Sequence, residues 1–282
     1  MKRILALLMA TLFLFTLATG CGSKSSDSAK GGSETASDGT GSDTGGTDTS
    51  GIKILVTNDD GYDADGIDAL VEALRGIDGV NVTVVAPATN QSGKGSAVSG
   101  GDLKASDVKT KSGYKAKAIE GTPADTIVWA IDQKGISFTP DLVISGINAG
   151  ANMGPAIELS GTVGAARAAA QRGIPALAAS QGPLVAPFDF PAGVARVLEW
   201  FEENRLAIEN GTLQHDSVAN LNIPTCPTGS VRGVRIVIPA TDTEGYDLPP
   251  NCESTDTDPG SDIAALYLGF AALSQVPAKP AA

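Results

Sequence analysis

Along most of the chain, short apolar runs take turns with stripes of helical spacing. Residues 52–57 are rich in branched aliphatics, the pattern of a strand buried on both faces, and the run stops at Asn58, Asp59, Asp60 and Gly61. Ile67, Leu70, Val71 and Leu74 then fall at i, i+3, i+4 and i+7, one face of an amphipathic helix with Gly76 past its end. A second buried strand is expected over 80–86, closed by Pro87. Thr122 and Pro123 have the character of an N-cap and first helical residue, opening a helix over 124–131. A strand over 141–145 stops at Gly146, a helix of small residues over 162–172 precedes Gly173, and another strand follows over 174–179. Helical spacing at 194–201 and a strand-like run at 231–238 complete the pattern. Such alternation requires crossover connections, so the expected architecture is α/β: a doubly wound, mostly parallel sheet with helices on both faces. Ligands of such sheets bind beyond the carboxyl ends of the strands.

The N-terminus follows another logic. Lys2 and Arg3 precede an apolar run over 4–17, then Ala18, Thr19 and Gly20 lead into Cys21. This is the layout of an export signal, and the run is shorter than the ~20 residues that span a bilayer as a helix. The small-small-Cys ending resembles a bacterial lipobox, so Cys21 is the expected lipidation site, with plain secretion and nearby cleavage as the alternative. Residues 22–51 are almost wholly Gly, Ser, Thr, Asp, Lys and Ala and have nothing to bury. They read as a flexible tether with a reach of about 30 Å. The expected organisation is a signal peptide over 1–20, lipidated Cys21 and tether over 21–51, and one folded domain over 52–282. The expected location is the cell envelope, on its periplasmic or extracellular face, with membrane contact through the lipid anchor alone.

Composition narrows the partners. The 282 residues carry 20 Lys and Arg against 32 Asp and Glu, a net charge of −12, which argues against binding a nucleic-acid polymer and favours small molecules or metal cations. The 34 glycines show no triplet period, which excludes a collagen-like chain. With Cys21 set aside, Cys226 and Cys252 form an even pair in an exported domain, where a disulfide is expected and two buried thiols are the alternative. His215 is the only histidine and lies in a polar stretch, which points to a surface residue.

Four polar clusters stand at expected strand or helix ends. Asn58, Asp59, Asp60 and Gly61 follow the first strand; an ordinary Asp-Gly turn would look the same. Asn90, Gln91, Ser92 and Gly93 follow the second, in a Gly/Ser-rich loop over 89–101. Asn148 and Asn152 follow the third, in a glycine-rich run. Ser160, Gly161 and Thr162 open a helix of small residues, which is either an N-cap on a tightly packed helix or an amide-lined cradle for an anion. Carboxylates, a hydroxyl and Asn carbonyls form an oxygen-only donor set that suits one divalent metal, Mg²⁺ or Mn²⁺. A hard cation beside an anion-binding helix start is the chemistry of phosphate esters.

The strings ILVTNDDG (54–61), VVAPATNQSG (84–93), GTPAD (121–125), SGINAGANMG (145–154) and SGTVGAA (160–166), in that order, resemble the SurE family of nucleotidases and acid phosphatases. Residues 252–276 also look like that family's closing region. The resemblance implies a Rossmann-like domain that hydrolyses phosphomonoesters, typically nucleoside monophosphates, with a divalent metal; attack by a metal-activated water is the mechanism expected from that chemistry. It implies metal ligation by Asp59, Asp60, Ser92 and Asn148, catalytic roles for Asp59 and Asp60, and substrate or phosphate contacts from Asn58, Gly93, Asn152, Ser160, Gly161 and Thr162. A homodimer or tetramer is also implied. Leu159 stands where the family often has an aromatic residue, and Ala168 where an acidic one is frequent. Two other readings remain open at this level: a tethered solute-binding lipoprotein, and a degenerate SurE-like binding module without catalysis.

Overall fold

The computed structural model describes residues 51–184 and 186–280; the expected export signal, Cys21 and all of the tether except Gly51 lie outside the described residues. Nine strands form one sheet in the order β3-β4-β2-β1-β5-β6-β7-β9-β8. Its centre is β2 (Val80–Pro87), β1 (Ile52–Thr57), β5 (Leu142–Ala149), β6 (Ala176–Gly182) and β7 (Ser217–Pro224), all parallel. Parallel neighbours send their carboxyl ends to one edge. The helices cover both faces, as the doubly wound reading requires: α1 (Asp65–Leu74) and α4 (Phe190–Glu209) on one, α2 (Pro123–Ile127) and α3 (Gly161–Ala170) on the other.

The central strands are apolar throughout because both of their faces are roofed. Ile54 and Val56 pack with Ile67, Leu70 and Leu74 of α1, whereas Leu55 points the other way, toward Val163 and Ala166 of α3. Each such side chain contributes roughly 1.5–3 kcal/mol when fully buried. The α3 helix lies close to the sheet because it is built of Gly and Ala. Gly164 is required against a loop: a Cβ there would sit 1.9 Å from the carbonyl oxygen of Gly95, in the connection after β2.

Several elements differ from the sequence pattern. β3 (Ala105–Lys109) and β4 (Lys115–Ile119) form an antiparallel pair at one margin of the sheet, and their mixed Lys, Asp and Ala residues hide the strand signal. β7 escapes notice because Asn220 and Asn222 interrupt its apolar run, although both are buried. The helix expected over 124–131 has α2 only to Ile127, and continues as a wider π turn over Val128–Asp132. The helix expected over 194–201 extends to Phe190–Glu209, started by Asp189, whose carboxylate accepts the Ala192 amide at 3.1 Å. The run at 231–238 contracts to β8 (Val234–Ile236), paired parallel to β9 (Ala271–Pro277), which itself runs antiparallel to β7.

Cys226 and Cys252 are disulfide-bonded, with Cα atoms 5.7 Å apart, so the stretch from the end of β7 to the approach of α5 (Asp262–Tyr267) is a covalently closed loop. His215 is exposed. No described helix is long and apolar enough to cross a membrane.

Candidate active site

Three loops meet at the carboxyl edge of the sheet because β2, β1 and β5 are adjacent there. They carry residues 90–93, 58–61 and 148–152. Asp59 stands at the centre and is buried. Its Oδ1 accepts the Thr162 hydroxyl at 2.7 Å, and its carbonyl accepts the Gln91 amide at 2.7 Å, joining β1, the β2 loop and α3. Burial pushes the Asp59 carboxyl from 3.8 up to about 6; the hydrogen bond from Thr162 opposes that rise and the neighbouring Asp60 charge adds to it.

Asp60 is braced by the two other loops. Asn90 donates to its Oδ1 at 3.1 Å and the Ala149 amide to its Oδ2 at 3.0 Å. Burial raises its pKa as well, against the pull of these two donors. The same Asn90 accepts the Ser92 amide at 2.9 Å and so shapes the exposed turn that presents Ser92 and Gly93. Asn148 is buried, and its Nδ2 donates to the Gly150 carbonyl at 2.6 Å, which turns its Oδ1 away from that bond. Asp59, Asp60, Ser92 and Asn148 therefore come from three strand ends that hydrogen bonds stitch together.

The donor set fits a hard cation. Among the described residues, no Lys or Arg pairs with Asp59 or Asp60. Two adjacent carboxylates, both held toward the neutral form by burial and lacking a counter-charge, gain most from a divalent ion. The Ser92 hydroxyl and the Asn148 Oδ1 are neutral oxygens carried by the adjoining strand ends, and the candidate set contains neither sulfur nor imidazole, as Mg²⁺ or Mn²⁺ would prefer.

Two groups of expected contact residues also have partners within the chain. Asn58 is fully buried, and both ends of its amide are taken by Gly61, with Nδ2 on the carbonyl at 2.9 Å and Oδ1 on the amide at 3.2 Å. It shapes the turn that aims Asp59 and Asp60. The start of α3 carries the N-cap that the sequence also allowed. Ser160 caps it, with Oγ accepting the Val163 amide at 3.1 Å and its carbonyl the Gly164 amide at 2.9 Å. Gly161 packs directly on Asp59, where a Cβ would lie 2.8 Å from the Asp59 Cβ. With Thr162 bonded to the same carboxylate, Asp59 is one anion seated at this helix terminus.

Asn152 is partly buried, and its Nδ2 donates to Ser180 Oγ at 2.8 Å. Its main chain is held by Asn220 and Asn222 of β7. Those two residues were missed in the sequence; two Asn at alternate positions in an otherwise apolar run, 220 and 222, are the signal that was available.

Known proteins resemble this chain along most of its length. The family model described as Survival protein SurE matches residues 54–244. A 5'-nucleotidase SurE of Syntrophobacter fumaroxidans is 39% identical over 186 residues, covering 66% of this chain and 71% of the relative. A 5'/3'-nucleotidase SurE of Yersinia pestis is 34% identical over 239 residues, covering 79% of this chain and 89% of the relative. The crystal structure of the SurE protein from Aquifex aeolicus superposes with a TM-score of 0.65 at 26% identity, covering 81% of this chain and 94% of that one.

Proposed function

Because the chain belongs to the SurE family, we propose that it is a phosphomonoesterase acting on nucleoside monophosphates, with one divalent cation held by Asp59, Asp60, Ser92 and Asn148. The observation that carries this reading is the pair of adjacent carboxylates, buried Asp59 and half-buried Asp60, without a counter-charge at the junction of three strand ends.

When bound, Mg²⁺ or Mn²⁺ would polarise the phosphoryl group and acidify an attacking water. The chain's own residues do the rest. Thr162 fixes Asp59 Oδ1, and Asn90 with the Ala149 amide fixes both oxygens of Asp60, so the carboxylates meet the ion without reorganising. Asp59, its pKa raised to about 6 without the ion, gives up its proton near neutrality and is then ionised for the cation. Ser92 and Gly93 line the open side, where even a Cβ on Gly93 would meet nothing within 4 Å, which leaves room for a phosphoryl group. Asn152, from the opposite loop, keeps a second Nδ2 hydrogen beyond the one given to Ser180 Oγ, a donor of the kind a phosphoryl oxygen accepts.

The N-terminal sequence supports display on the cell envelope through lipidated Cys21, and the Cys226–Cys252 bond fits an oxidising compartment. A homodimer or tetramer belongs to the same proposal.

A metal panel crossed with a panel of nucleoside monophosphates tests the activity. Phosphate release that requires Mn²⁺ or Mg²⁺ and stops with a chelator is expected. Tight binding of ion and nucleotide without release would make the protein a binding module instead.

A further inference from the structure

The loop over 150–154 joins two candidate site residues, Asn148 before it and Asn152 within it, but it is made of Gly, Ala, Asn and Met and has little to hold itself in place. The grip comes from the second half of the chain. Asn222, fully buried on β7, takes the main chain of Asn152 on both sides: its Oδ1 accepts the Asn152 amide at 2.7 Å and its Nδ2 donates to the Asn152 carbonyl at 3.0 Å. Asn220 donates to the same carbonyl at 2.9 Å. The Tyr246 hydroxyl donates to the Ala151 carbonyl at 2.6 Å. Asp262, fully buried at the start of α5, accepts the Gly154 amide through Oδ2 at 2.9 Å, while its Oδ1 accepts the Ala240 and Ile263 amides, each at 2.8 Å.

Stability alone does not call for this arrangement. Burying amides and a carboxylate is costly, and apolar side chains of the same volume would fill the space at less expense in desolvation. Polar groups are worth that cost where they fix a main chain in one position, since hydrogen bonds are directional and apolar contacts are not. The disulfide adds to the fixation, because Tyr246 lies within the loop closed by Cys226 and Cys252.

We propose that Asn222, Tyr246 and Asp262 are positioning residues, a clamp that sets the main chain at 151–154 so that Asn152 faces the phosphoryl group. None of the three is itself a candidate ligand. The clamp rests on the phosphomonoesterase reading for its purpose, while its mechanical part can be read without turnover.

Tyr246→Phe loses only the hydroxyl and keeps the ring; Asp262→Asn keeps the shape and weakens the hold on Gly154. Both are compared with wild type by amide hydrogen exchange, by affinity for inorganic phosphate in the presence of Mn²⁺, and by kcat and KM on a nucleoside monophosphate, all well below the melting temperature. Expected is exchange at 151–154 about tenfold faster, with phosphate affinity weaker and KM higher by about five- to tenfold and kcat changed less. Unaltered exchange in both variants overturns the clamp, and so does faster exchange with phosphate affinity and KM at wild-type values. A wild type that binds phosphate but turns over no phosphomonoester sinks the enzymatic reading alone, and the clamp is then decided by exchange and phosphate affinity.

Discussion

Thr162 donates its hydroxyl to Asp59 across 2.7 Å, and this bond turns the start of α3 toward a carboxylate of the chain itself. The positive end of the helix then favours the charged form of Asp59, while burial favours the neutral form. Burial prevails, and the carboxyl rests at about 6. A cation arriving at this place therefore meets a ligand that is easily ionised but unpaired.

The first prediction concerns stability and pH. In the unfolded chain Asp59 titrates near 3.8, and in the fold near 6, so the fold binds the proton more tightly. The contribution of this group to metal-free stability is complete below about 3.8 and is lost as pH rises through about 6, a deficit of about 3 kcal/mol at pH 8. Asp59→Asn should accordingly melt higher than the metal-free wild type at pH 8, and lose metal-dependent hydrolysis by at least about a thousandfold. Thermal melts with and without Mn²⁺ check the first part and phosphate release the second; wild-type turnover in the variant would be fatal to the assignment.

Thr162→Val should shift the pH dependence of catalysis. Loss of the hydroxyl removes a bond that lowers the Asp59 pKa, so the acid limb of kcat/KM should move to higher pH, by about 0.5–1 unit for a bond worth ~1 kcal/mol. Rates above pH 8 should change little. A profile superimposable on wild type would mean that Asp59 does not govern that limb.

At Gly164 there is no room for even one methyl group. Gly164→Ala would press on the Gly95 carbonyl and displace the loop that carries Ser92. The expected loss is about 1–3 kcal/mol of stability, with weaker Mn²⁺ binding. Urea denaturation and calorimetry measure the two effects, and an unchanged midpoint would contradict the packing described.

The covalent loop has its own test. Its ends are 26 residues apart, for which chain entropy suggests about 3–4 kcal/mol of stabilisation. A double Cys226→Ser, Cys252→Ser variant should unfold at lower urea by that amount, and a reductant should bring wild type to the same midpoint. Indifference to reductant would show that the bond contributes nothing.

What could be read from sequence was what burial writes locally. β1, β2 and β5 are mostly apolar, so their presence and the polar residues Asp59, Asp60 and Asn148 stand out from neighbouring residues alone, but β5 runs on through Gly146 to Ala149, so Asn148 lies inside the strand and not after it. β4 and β7 are half or wholly buried too, yet Lys117, Asn220 and Asn222 break their patterns for reasons that lie elsewhere in the chain. The start of α3 had the local form of an anion cradle. That one anion seated there is Asp59, 103 positions away in sequence, depends on tertiary packing. Asn58 carries the same lesson, since only the closed turn reveals that Gly61 uses both ends of its amide.

The place of β9 bears on how the chain is made. It lies between β7 and β8, both of which precede it in the polypeptide. During synthesis, β7 thus waits with a bare edge, and β8 with no described neighbour, until residues 271–277 emerge. A nascent chain stalled before Ala271 would offer that edge to other chains, the usual route to aggregation. Completion of the sheet is a late and long-range event, which favours a chain kept unfolded until nearly all of it has been delivered.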